Sequence, residues 1–435
     1  MKRRYVIVGL GYRGTHMFLN PMVQDYANVA EVVALCDVNH KRLELARDLA
    51  KLEVPIYTDY DKMLEEIDCD CVIVTTPDYL HHEIIIKSLY SGKDVISEKP
   101  LTIFDDKCQE IIKAEQESGK KVTVTFNCRF QPYNIAIKKF LLERKVGEIH
   151  SVELNWFLDT LHGADYYRRW HRKLENSGGL LLHKATHHLD LVNWFIDQEP
   201  KTVFGNGKLN YYGQDRKEHG ERCLTCQHRE KCNFYLDLES DQELKELYLL
   251  TEDVDGYYRD RCVFEKEINI YDTMSLLVEY DGGALLSYSL NSFLPFEGWR
   301  LVINGSKGRM ECRSTLSFSA TEQFKLAKRE LSSKSVDPWL HESGINKIPE
   351  EGTIYFYPLF GGMETYKVKY WKGTHGGSDK LLRDKLFYGV DEDPLGQMAD
   401  SWAGAMSLLI GVAGNKSIAQ GRPVAIEDLL GGLKK

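Results

Sequence analysis

The sequence predicts a two-part α/β fold. An N-terminal doubly wound parallel sheet is followed by a C-terminal α+β domain on a mostly antiparallel, open sheet. Three observations carry this. The 435 residues exceed what one ordinary core organises. Up to about residue 125, short Val/Ile-rich runs alternate strictly with helical patterns. Beyond that point alternating apolar runs are joined by glycine turns.

In the first part, Tyr5–Gly9, Glu31–Asp37, Cys71–Pro77, Asp94–Ser97 and Lys121–Phe126 read as strands buried on both faces. Between them, residues 40–52, 59–67, 80–92 and 104–120 carry apolar side chains three and four apart. Gly92 and Gly119 are placed to end two of these helices. Residues 133–147 continue as a helix, and 148–159 alternates as a strand. Two hairpins follow, turning at Asp281-Gly282-Gly283 and at Asn304-Gly305. A last helix, apolar and Ala/Gly-rich, spans roughly Pro394 to Gln420. The expected domains are 1–126 and 127–435, with a Cys-rich insert at about 213–265.

Composition narrows the function. Hydrophobic residues make up 43%, charged residues 28%, and the net charge is −9 with both signs interspersed. Nucleic acid and anionic membranes demand a basic footprint, so neither is expected as a partner. No apolar run approaches membrane-spanning length, and the run after the basic start is too short for a signal peptide. A cytoplasmic location is expected, where the ten cysteines are thiols or metal ligands rather than disulfides.

"GLGYRG" sets Gly9, Gly11 and Gly14 in the G-x-G-x-x-G spacing, directly after a strand and before a helix. That is the Rossmann demand for a tight turn, a close pyrophosphate and close helix packing, with Tyr12 and Arg13 inside the turn. Asp37 ends the next strand, where a carboxylate accepts from a ribose diol and repels a 2′-phosphate. NAD is therefore the expected cofactor, while nearby Lys41 and Arg42 leave NADP open. Thr76, Pro77, Glu98 and Lys99 follow the strands at 71–77 and 94–97, at the sheet edge where a nicotinamide would lie. A desolvated Lys99 could share a proton with a substrate hydroxyl; an ordinary surface turn is the competing reading.

"GLGYRG", "CDVN", "TTPDYLHHE" and "GKDVISEKPLT" together resemble the motifs of the glucose–fructose oxidoreductase/inositol dehydrogenase (Gfo/Idh/MocA) family. The resemblance is strong to about residue 200 and weaker beyond. It implies a catalytic, substrate-contacting role for Lys99 and places His81 near the nicotinamide. It also implies a second domain holding a sugar or cyclitol site, with a homodimer or homotetramer expected. The family's Asp-x-Gly-x-His-x-x-Asp helix falls on His183–Asp190: His187 matches the proton-handling histidine and Asp190 the final aspartate. His183 stands in place of the first aspartate and Ala185 in place of the glycine.

Three readings of this cluster stay open. His187 transfers a proton, assisted by His183 or Lys184. Alternatively His183 and His187, four apart on one helical face, hold a metal with His162, Asp165 or His375. The third is a polar helix start, which suits Asp190, while His188 packs. Cys223, Cys226, Cys232 and Cys262 have structural-zinc character, with an iron–sulfur cluster, free thiols or a redox pair as alternatives. The other six cysteines read as core. Segments around Arg129, 162–172 and 375–379 could grip vicinal hydroxyls. From these, and from the histidine cluster, Arg129, Tyr166, Lys184 and His375 are the expected substrate contacts.

The leading functional expectation is NAD-dependent oxidation of a secondary hydroxyl on a sugar, glycoside or cyclitol. A glycosidase or lyase using NAD transiently, and a non-catalytic dinucleotide and sugar sensor, are the alternatives.

Overall fold

A computed structural model describes residues 2–215, 218–318, 351–370, 377–390 and 392–434. Strands β1 (Arg3–Val8), β2 (Ala30–Cys36), β3 (Ile56–Tyr57), β4 (Cys71–Val74), β5 (Asp94–Ser97) and β6 (Val122–Val124) build the first sheet. They stand in the order β6-β5-β4-β1-β2-β3, all paired in parallel. The order reverses beside β1, the crevice where doubly wound sheets bind ligands. Val6, Ile7, Val72 and Ile73 are fully buried because helices cover both faces.

The second sheet contains β7 (Ile149–Asp159), β8 (Pro200–Lys208), β9 (Thr273–Tyr280), β10 (Leu285–Leu294), β11 (Phe296–Gly305) and β12 (Gly308–Phe318). It is completed by β13 (Glu351–Pro358), β14 (Glu364–Lys369) and, further along the chain, β16 (Val424–Ala425). Their order is β14-β13-β12-β11-β7-β10-β9-β8-β16, antiparallel apart from the β10/β7 pair. Both expected hairpins are present, as β9/β10 and β11/β12. On β9, Met274, Leu276, Val278 and Tyr280 are buried while Ser275, Leu277 and Glu279 face out. One face of this sheet therefore packs and the other is wet.

The final helix differs from its sequence-derived range. It runs Ser401–Gln420 because Asp400 caps it, accepting the Ala403 N–H at 2.8 Å. Just before it, β15 (Ala399–Asp400) joins the first sheet antiparallel to β6. The helix contacts β6 of the first sheet and β8 of the second. A small residue allows the first contact: a Cβ at Gly404 would lie 2.9 Å from the Val124 side chain of β6. Asp400→Ala should cost about 1 kcal/mol, read as a lower urea midpoint at unchanged slope. Helix Ser378–Tyr388 also returns to the first sheet, setting Phe387 edge-on to Tyr5. Among the described residues no helix is long and apolar enough to cross a membrane.

Candidate active site

The glycine turn comes first. Gly9 adopts φ +96°, and a Cβ there would lie 2.7 Å from the Thr75 backbone. One on Gly14 would lie 2.0 Å from the Gly9 oxygen, so neither position accepts a side chain. Asp37 accepts the Leu10 N–H at 2.7 Å and the Asn39 N–H at 2.9 Å, which locks the end of β2 against the turn. Arg13 reaches across to Glu98 at 2.7 Å. The Thr76 hydroxyl is buried with no hydrogen-bond partner. Leaving such a group unmet costs roughly 1–3 kcal/mol, which a ligand would relieve. A turn whose Gly9 and Gly14 admit no side chain, a carboxylate at the end of β2 and an orphaned hydroxyl fit a dinucleotide.

His81 is buried, its two ring nitrogens at 2.8 Å from the Pro100 oxygen and 2.9 Å from the Thr76 oxygen. It ties the Thr76–Pro77 and Lys99–Pro100 loops together. Desolvation keeps its ring below the usual imidazole range.

At this edge the Lys99 ammonium donates to the His183 carbonyl at 2.9 Å. Burial lowers its pKa to about 8, against the pull of Asp78 and Glu98. Asp78 Oδ2 lies 2.6 Å from His183 Nδ1, at the far side of the same cluster. Desolvation drives the Asp78 carboxyl well above its ordinary value, although Lys99 and Arg169 oppose this. Desolvation, then Lys99 and His171, holds the His183 ring well below its ordinary value. Burial thus disfavours the charged form of each partner. The His171 ring lies 4.1 Å from that of His183 and is stacked on Trp170 at 3.7 Å. Tyr166 presents its ring edge-on to both histidines at 5.5 Å, and its hydroxyl meets His162 Nε2 at 2.7 Å.

Asp78 went unassigned in the sequence reading, although it directly follows the proline of "TTPD". The carboxylate that meets His183 comes from the edge of β4, 105 residues earlier.

Several expectations are corrected. His183 and His187 do not share one helix: Leu180–His183 ends, Lys184 intervenes, and Ala185–Ile196 begins. His187 lies edge-on to Phe126, with centroids 5.8 Å apart. Arg129, expected as a substrate contact, is engaged by the protein itself. Its guanidinium grips the buried Asp190 at 2.6 and 2.8 Å and donates to the Gly396 carbonyl at 2.9 Å. His188 packs as expected, stacked on Trp156 at 3.6 Å and bonded to the Tyr288 hydroxyl. Lys184 lies 5.9 Å over the same Trp156 ring. His375 falls outside the described residues.

The four insert cysteines do converge on one cavity of about 510 Å³. Even so, among the described residues no three His, Cys, Asp or Glu side chains are placed to hold a metal ion. The zinc expected at Cys223, Cys226, Cys232 and Cys262 is thus unsupported, as is a metal on His183 and His187. The Cys223 thiol instead accepts from Arg168 at 3.3 Å and the Leu236 N–H at 3.4 Å. Burial pushes the Cys262 thiol up to about 11.

Comparison with known proteins agrees with this geometry. Residues 3–126 match the Gfo/Idh/MocA oxidoreductase family's NAD-binding Rossmann fold, and residues 138–426 match its C-terminal alpha/beta domain. The chain is 38% identical to the putative oxidoreductase YteT of Bacillus subtilis, covering 98% of each. Over 45% of the chain and 55% of the relative, it is 28% identical to inositol 2-dehydrogenase of Salmonella typhimurium. The fold is shared with the WlbA dehydrogenase of Bordetella pertussis, solved with NADH and UDP-GlcNAcA. That structure has a TM-score of 0.63 at 18% identity, covering 98% of this chain and 99% of that one. The chain belongs to the Gfo/Idh/MocA oxidoreductase family.

Proposed function

We propose that this oxidoreductase oxidises a secondary hydroxyl of a sugar, glycoside or cyclitol, with NAD as hydride acceptor. The observation that carries the reading is the buried Lys99–Asp78–His183 group at the sheet edge beside the glycine turn. When bound, the dinucleotide supplies C4 of its nicotinamide to receive the hydride. The chain's own part is the proton. Lys99, with a pKa near 8, is neutral in part at physiological pH and takes the hydroxyl proton as the carbinol carbon becomes a carbonyl. The Asp78–His183 pair passes that proton onward and orients the substrate oxygen. His187, against Phe126, borders the substrate, with Tyr166 and Lys184 on the cluster's other sides. The inositol dehydrogenase relative and the sugar-nucleotide complex of the fold neighbour support a polyhydroxylated substrate.

Because the base must be neutral, turnover should rise with pH through an apparent pKa near 8. The Asp78 charge favours the ammonium, so Asp78→Asn should move that limb to lower pH. A pH profile of kcat for both chains checks the sign. The function itself is tested by NADH fluorescence across sugars, glycosides and inositols. Net NADH with one of them supports the reading. Glycoside cleavage without net NADH indicates the oxidation–elimination–reduction alternative, and dinucleotide binding with no turnover indicates the sensor.

A further inference from the structure

The Cys-rich insert reaches back to the nucleotide turn. Its segments Gln242–Leu244, Lys245–Leu249 and Glu252–Asp255 form a strap across the Gly9–Gly14 turn and the start of helix His40–Leu49. The Tyr12 N–H donates to the Tyr248 hydroxyl at 3.0 Å, and a Cβ at Gly11 would sit 3.5 Å from that oxygen. His16 pairs with Glu243. Asn39 donates to the Thr251 carbonyl at 2.8 Å and to Asp255 at 2.9 Å. The Arg42 guanidinium donates to the Leu247 carbonyl and lies over the Tyr248 ring.

The charges of this strap fall on two particular residues. Lys41 and Arg42 follow Asp37 closely, where a cation would receive the 2′-phosphate of a phosphorylated dinucleotide. Both are already answered. Lys41 Nζ lies 2.6 Å from Asp253, and Arg42 lies 3.0 Å from Asp255 and 3.2 Å from Asp37. The Arg42 and Asp255 side chains are only 9% and 17% exposed, so solvent screens that pair weakly. Three carboxylates thus face two cations beside the ribose position, and an added phosphate would find repulsion where it needs a partner.

We infer that Asp253 and Asp255 of the insert are specificity-determining residues. They select NAD(H) over NADP(H) by occupying the two cations a 2′-phosphate would use. Asp37 alone is the competing account. The inference rests on the dinucleotide reading above, and it assigns the insert a role that its cysteines do not.

The test is direct binding, by calorimetry at low ionic strength, of NAD and NADP to the full chain and to Asp253→Asn/Asp255→Asn. The wild type should prefer NAD, and the variant should lose about tenfold or more of that preference, Asp37 being retained. Asp253→Asn alone, at a carboxylate 64% exposed, should lose about threefold. It serves as the readout if the double variant fails to fold. An unchanged preference in a folded variant overturns the inference and leaves Asp37 as the determinant. A wild type that binds both nucleotides equally overturns it too, with the dinucleotide reading intact. A wild type that binds neither overturns both.

Discussion

Lys99→Met should lower kcat by about a hundred- to ten-thousand-fold, the range for losing a positioned proton acceptor. NADH affinity should stay within about threefold, because Lys99 donates to the His183 carbonyl rather than holding the glycine turn together. Methionine keeps the length and apolar stem, so the loss reports the amine. The residual rate should also lose its rise through pH 8, since the group whose pKa is lowered to about 8 is gone. A variant that keeps wild-type turnover would remove Lys99 from the chemistry.

Arg129→Met should destabilise the fold by about 3–5 kcal/mol, read by urea unfolding. Arg129 and Asp190 are 6% and 1% exposed, and the pair joins the segment after β6 to helix Ala185–Ile196. Removing the cation strands a carboxylate in the interior, which is where most of the loss arises. Replacing both partners, Arg129→Met with Asp190→Leu, should therefore recover much of it. If the double variant is no more stable than the single one, desolvation is not the source. A loss below about 1 kcal/mol would reopen Arg129 as a substrate contact.

What was legible in the sequence was local. The Val/Ile runs of β1, β2, β4 and β5, the glycine spacing and the two hairpin turns are signals within a dozen residues. Each is set by backbone sterics or periodicity. Lys99 was legible for the same reason, since it follows β5 at a sheet edge. The partners of these residues were not. Asp78 meets His183 only once the two domains pack, and nothing near either residue announces the pair.

Arg129 read as a sugar contact because its polar segment could grip vicinal hydroxyls, and only the fold shows Asp190 beside it. His183 and His187 read as one helical face because the spacing is four. The break at Lys184 has no proline or glycine to mark it. The cysteine spacing drew attention to the insert, yet its Tyr248 is what touches the nucleotide turn and its acidic residues are what hold Lys41 and Arg42.

The central claim is hydride transfer from a carbinol carbon beside Lys99. Its most direct measurement uses a substrate found in the NADH screen, deuterated at the carbinol carbon, in a single turnover with NAD. The nicotinamide is then recovered for mass analysis. The account predicts one deuterium at C4 of the nicotinamide, formed at least a hundredfold more slowly by Lys99→Met. Product formed without deuterium on the nicotinamide would contradict it.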